Sequence, residues 1–198
     1  MNILNKIANM KHVVLILMLS LFVGFCPAQN SHMKFKGIPM DGTLQSFTNK
    51  LKDIGFSSLG IQDGISLLTG DFGGYKKCTI GAAADRNGMI CKVTVIFPAM
   101  EKWSELEECY NMYKSMLSEK YDKPYYCEEK FQSNNANDDN TKKYELVMDR
   151  CNYVSLFSGD NGEIELRILH QTTECSVVLA YYDNTNQEKL KQQIMDDL

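Results

Sequence analysis

The chain has 198 residues, a net charge of −4 and 44% hydrophobic residues. That length suits one domain or two small ones. The acidic balance, with no basic patch interleaved with aromatics, argues against nucleic acid as a partner.

The first 28 residues read as an export signal. Lys6 and Lys11 form a positive n-region, and His12–Phe25 is an apolar run too short for a comfortable membrane span. Cys26 and Ala28 put small residues at −3 and −1 for cleavage after Ala28. The expectation is therefore a signal peptide over 1–28 and a single exported domain, periplasmic or secreted, over 29–198. A retained anchor is one alternative. A lipoprotein held through Cys26 is another and would be the route to a membrane, although Phe25 is bulky for a lipid-attachment site. Cleavage removes two lysines and makes the charge two units more negative.

Six cysteines remain after cleavage: Cys78, Cys91, Cys109, Cys127, Cys151 and Cys175. An even number in an exported chain predicts at least one disulfide, with the pairing left open; the bland alternative is that several are small buried hydrophobes.

Taken in order, the mature chain opens with Phe35 and Ile38 before Pro39, an extended entry. Asp41-Gly42 marks a turn and Thr43 stands as an N-cap. Leu44, Phe47, Leu51 and Ile54 share one helical face. Gly55 suits a left-handed C′ position, with Phe56 folding back on Leu51. The spacing predicts a helix over 44–54.

This opening, KFKGIPMDGT, resembles a segment found just after the signal peptide in small uncharacterised exported proteins of gut anaerobes. Tyr126-Cys127-Glu128-Glu129 and Cys151-Asn152-Tyr153 look similar too. The resemblance implies export and common descent. It carries no known chemistry, so no site residue follows from it.

Ser57–Ile65 reads as a polar connection and Ser66–Thr69 as the start of a short strand. Gly70-Asp71-Phe72-Gly73-Gly74 lacks the Gly-Lys-Ser/Thr ending of a phosphate loop and reads as a turn. Asn87-Gly88 predicts a hairpin with a two-residue turn. Cys78, Ile80, Ala82 and Ala84 then face Phe97, Val95, Val93 and Cys91 on one side of the ladder. Cys78 and Cys91 would lie about 20 Å apart along it. A disulfide between them is excluded, since it needs Cα atoms within about 7 Å.

A second helix is expected over 101–121, with Trp103, Leu106, Tyr110, Tyr113 and Leu117 on one face and Met116 widening it. A strand follows over Tyr125–Phe131, then the loop Ser133–Asn140 and a short helix over Thr141–Arg150 carrying Tyr144, Val147 and Met148 on one side. A second hairpin pairs Tyr153–Phe157 with Glu163–Leu169 across Gly159–Gly162, and a strand Cys175–Tyr182 precedes a polar helix from Asn184 with Leu190 and Ile194 as its apolar stripe. The predicted fold is α+β: an antiparallel sheet with helices on one face, arranged as a divergent tandem helix-plus-hairpin repeat (34–100 and 101–183, then a C-terminal helix over 184–198). Such an element order is similar to β-lactamase-inhibitor-protein-like modules and to small outer-membrane-assembly lipoproteins.

Catalytic signals are sparse. His32 falls in an N-terminal segment expected to be mobile, and His170 ends a strand with the parity of Ile168. Two separated histidines and no C-x₂-C spacing support no zinc site, and the Asn/Asp loop lacks the EF-hand spacing, so neither a metal nor a cofactor is expected. A Cys–His pair would have to use His170. Glu107-Glu108 and Glu128-Glu129 are neighbours that point apart. No nucleophile-elbow, kinase or dinucleotide motif occurs. The leading expectation is a non-catalytic binding module meeting a protein or glycan, with Tyr125 and Tyr182 as candidate contacts from the pairs Tyr125-Tyr126 and Tyr181-Tyr182. The alternatives are an envelope-assembly or structural component and a hydrolase with an unrecognised site.

Overall fold

Local signals account for the first helix. The computed structural model describes residues 32–134 and 136–196, with the backbone alone at 190, 193 and 196. The expected signal peptide, the Cys26 alternative and the Leu190 side chain lie outside the described residues. A short ribbon, β1 (Lys34–Phe35) and β2 (Ile38–Pro39), leads into α1 (Leu44–Asp53). The Ser46 N–H donates to the Thr43 hydroxyl at 3.2 Å, filling one orphan donor. At the far end Gly55 takes φ +102°. The N–H groups of Phe56 and Gly55 donate to the Leu51 and Lys52 carbonyls at 3.2 and 3.0 Å, the expected Schellman pair. Phe47 and Leu51 are buried. Ile54, expected on that face, is exposed because the helix has already ended.

Eight strands form the main sheet: β3 (Ser57–Gln62), β4 (Ile65–Phe72), β5 (Tyr75–Ala84), β6 (Ile90–Ile96), β7 (Tyr126–Phe131), β8 (Cys151–Gly159), β9 (Gly162–Gln171) and β10 (Glu174–Asp183). The other helices are α2 (Trp103–Tyr121), α3 (Asp139–Val147) and α4 (Asn184–Asp196). The sheet is antiparallel throughout, in the order β3-β4-β5-β6-β10-β9-β8-β7. Each half is thus a helix followed by a four-stranded meander, and the halves join last strand to last strand through β6 and β10.

Two departures from the sequence expectation concern strands. Ser57–Gln62 is a strand, not a connection, and its partner β4 is twice the expected length. The segment hides its nature because all six residues are exposed and a bulge between Ser58 and Gly60 breaks the alternation. The first hairpin keeps the expected register from Thr79↔Ile96 to Ala83↔Lys92 but not at its tip. Asp85 accepts the Asn87 and Met89 N–H groups at 2.9 and 2.8 Å, so the loop has three residues, with Gly88 at φ +76°. A bulge at Cys91 absorbs the extra residue, so Ala84 faces Ile90 and Cys91 leaves the core face.

One row of side chains shows how the core is laid. Leu68, Ile80, Val95, Leu179, Leu166, Ser155 and Cys127 stand opposite one another across seven strands. All but Cys127 are buried. The α1 residues Phe47 and Leu51 and the α2 residues Trp103, Leu106, Cys109, Tyr110, Tyr113 and Leu117 join them in one cluster. At about 25 cal/mol per Å² of apolar surface, this burial is the main stabilising term. Met116 is exposed, and Cys109 takes its expected place. On α3 the buried residues are Glu145 and Leu146, while Tyr144 and Met148 point to solvent, so that helix sits rotated from the expected orientation. Its start at Asp139 follows from Asp138, whose carboxylate caps the Thr141 N–H at 2.8 Å.

The predicted mobility of His32 is overturned. Asp183, at 0% exposure, accepts the Met33 N–H at 2.7 Å and the Asn186 N–H at 2.8 Å, and His32 Nδ1 lies 3.2 Å from each of its oxygens. Asn186 in turn donates to the Met40 and Ile90 carbonyls at 3.1 and 2.7 Å. This knot ties the N-terminal segment and the first half to the end of β10. It also seats α4, whose Ile194 is exposed.

The disulfide expectation is corrected as well. All six described cysteines are free. Strand geometry scatters them: Cys78 and Cys175 face the core, Cys109 rides on α2, Cys91 fills a bulge, and Cys127 and Cys151 face each other's strands four registers apart. Burial pushes the thiols of Cys78, Cys91, Cys109, Cys151 and Cys175 up, Cys151 to about 12.

Candidate functional site

The helix layer covers one side of the sheet. The other side carries the alternate residues, and their identity sets its chemistry. Two rows run across it: Leu67, Gly81, Thr94, Ala180, Glu165, Leu156, Tyr126, and beside them Thr69, Thr79, Ile96, Val178, Arg167, Val154, Glu128. The middle is apolar and partly shielded by its neighbours, with Val178, Ala180 and Val154 buried. Polar and aromatic groups gather toward β9, β8 and β7.

There the tyrosines and carboxylates are paired. Tyr182 donates its hydroxyl to Glu165 at 2.8 Å, Tyr126 donates to Glu128 at 3.1 Å, and Tyr125 donates to Glu163. Arg167 braces Glu165 at 2.8 Å, Asn152 donates to Glu128, and Lys130 pairs with the same carboxylate. Lys92 places its ammonium 4.7 Å from the Tyr182 ring centre. Burial and then Glu165 push the Tyr182 phenol up; burial and then Glu163 push Tyr125 up to about 12. Both phenols therefore stay protonated donors at neutral pH. Of the two expected contacts, Tyr125 is exposed and Tyr182 half-buried; cross-strand pairing brings Tyr182 beside Glu163 and Glu165, and Tyr125, just before β7, reaches Glu163 with its hydroxyl. Tyr181 points into the core, edge-on to Phe35 at 5.3 Å, as alternation requires. Glu163 and Glu165 meet their tyrosines only through tertiary structure, whereas Tyr126 and Glu128 stand at i and i+2 on one strand, a spacing that the sequence already carries.

His170 stands opposite Cys175 in the β9–β10 register, yet its Nε2 is 3.1 Å from Asp149 and its Nδ1 3.0 Å from the Thr172 carbonyl. The buried Cys175 thiol donates to the Thr173 carbonyl at 3.8 Å instead. Glu107 holds the Tyr153 hydroxyl at 3.2 Å, while its neighbour Glu108 is exposed. Glu128 lies on the open face and Glu129 on the helix side, where Lys114 pairs with it. The Asn/Asp loop spends Asp138 on capping α3 and Asp139 on the Ser104 N–H and hydroxyl. Among the described residues no group of three or more His, Cys, Asp or Glu side chains could hold a metal ion, and no helix is long and apolar enough to cross a membrane.

No protein-family model, no curated protein and no solved structure matches this chain.

Proposed function

We propose that the chain is an exported, non-catalytic binding module whose uncovered sheet face takes a protein partner. The observation that carries this reading is the set of three tyrosines held by carboxylates on that face. Tyrosine combines large contact area with a polar tip and few rotatable bonds, and its hydroxyl here is already aimed. An apolar middle with Tyr, Arg and Glu toward one side has the make-up of a protein interface, with a dry centre and a polar rim. The export reading rests on the n-region, apolar run and cleavage pattern in residues 1–28.

The test uses a photo-crosslinking residue placed at position 126 and, as a control, at position 112 on the exposed side of α2, in chain secreted by an exporting host. A single protein crosslinked at 126 and not at 112, and lost in Tyr182→Ser, supports the reading. Equal crosslinking at both positions, or none at 126, overturns it. Retention on a glycan array that Tyr126→Ser abolishes would transfer the face from protein to carbohydrate.

A further inference from the structure

The β3 edge carries features that the open face does not explain. Leu59 and Ile61 are 59% and 68% exposed, and Ile65 on the adjoining strand is exposed too. The bulge between Ser58 and Gly60 leaves Leu59 without a partner on β4, so it stands out from the edge as a knob. Ser57–Gln62 contains no charged residue. Such an edge presents unpaired backbone groups with nothing to repel another strand.

Beside the knob lies a groove of about 390 Å³ between α1 and β3, lined by Leu44, Thr48, Lys52, Ser58, Ile61 and Ser66 among others. Thr48 is 6% exposed and its hydroxyl has no hydrogen-bond partner among the described residues. A buried unpartnered hydroxyl in the wall of an open groove is a group that contact with another chain would cover or satisfy.

From these features we infer that a second copy of this chain docks across β3, antiparallel and related by a twofold axis normal to the sheet. A knob and an apolar groove on the same edge are self-complementary only under such an axis, which seats each copy's Leu59 and Ile61 against the other's groove. Charge fits the same geometry. Lys52 stands at the Ser58 end of β3 and Asp63 follows Gln62 at the other end, and neither makes an ion pair among the described residues. Antiparallel pairing brings Lys52 of each copy toward the opposite copy's Asp63, twice over. The axis also keeps both copies' α1 on one side, continuing the two-layer build. The edge at β7 carries Glu128, Glu129 and Lys130, two of them in ion pairs with each other, and stays single.

Sedimentation velocity on chain purified from an exporting host tests this, with circular dichroism to confirm folding of each variant. The expected result is a dimer with a dissociation constant of about 1–100 µM. Ile61→Lys should weaken it by about tenfold or more, and Lys52→Asp by a smaller factor; adding Asp63→Lys to Lys52→Asp should restore it. Glu129→Gln, on the β7 edge but on its helix side, should leave it unchanged. A monomer at every concentration up to about 200 µM, an open-ended polymer, or a dimer that Glu129→Gln disrupts and Ile61→Lys does not would each overturn the proposal. None of these outcomes bears on the crosslinking at position 126, so the two readings fail separately.

Discussion

The two halves of the sheet share a plan and finish it differently. In the first, ten-residue α1 lies over a four-stranded meander and leaves a groove along β3. In the second, nineteen-residue α2 and the shorter α3 cover the helix side as far as β7. There the Tyr110 hydroxyl lies 2.7 Å from Ser155, Ser155 is 3.5 Å from Cys127, and Lys114 pairs with Glu129 at the rim. One end carries a hydrogen-bonded chain, although the buried Trp103 indole N–H beside it has no partner among the described residues; the other keeps an orphan hydroxyl on Thr48. The longer α2 reaches the rim of β7 through Lys114, whereas α1 leaves an open groove beside β3.

Asp183 and Asn186 join the two halves into one body. Asp183→Ala strips partners from the Met33 and Asn186 N–H groups and from His32, and should cost about 3–4 kcal/mol. Urea unfolding followed by Trp103 fluorescence and by circular dichroism should show one shifted transition. Two separate transitions would mean that the halves fold independently and that the knot is not their seam.

Removing a hydroxyl from each half sharpens the contrast. Tyr110→Phe deletes a buried, satisfied hydrogen bond and should lose about 1–2 kcal/mol in the same assay. Thr48→Val keeps the shape, deletes an unsatisfied group, and should be neutral or gain up to about 1 kcal/mol. A loss at Thr48 equal to that at Tyr110 would mean that the Thr48 hydroxyl is satisfied in the folded chain.

The smallest effect belongs to His170, held by the Thr172 carbonyl and then the Asp149 carboxylate, which together raise its pKa above the ordinary histidine value. A group with a raised folded pKa contributes stability that is full below the unfolded value and fades as pH rises through the folded one. The urea midpoint should therefore fall slightly between about pH 6 and 8, and His170→Gln should flatten that fall. A slope unchanged in the variant would assign it to another group.

Much of the fold was legible because its signals are local. The Thr43 cap, the Gly55-Phe56 stop, the stripe on α2 and the Gly159–Gly162 turn each depend on residues within a few positions. The parity of Tyr181 and Tyr182 was readable for the same reason. The Asn87-Gly88 turn was misread by one residue because the Asp85 carboxylate competes for the N–H groups, yet the bulge at Cys91 returned the ladder to the expected register. The candidate site was only half visible, as tyrosines without their acids.

By itself, then, the sequence determined the α+β class, the helix limits at Thr43 and Gly55, and, apart from Cys91 at the first tip, which residues of the two long hairpins face the core. Periodicity and capping are properties of short stretches, so folding has little freedom to alter them. Tertiary structure decided that 57–62 is an edge strand, that His32 is anchored on Asp183, that the six described cysteines lie apart, and that Tyr125 and Tyr182 meet Glu163 and Glu165 on the sheet face opposite the helix layer. Each of these depends on which distant strands become neighbours, and that is settled by burying the whole apolar surface at once and not by any local run of residues.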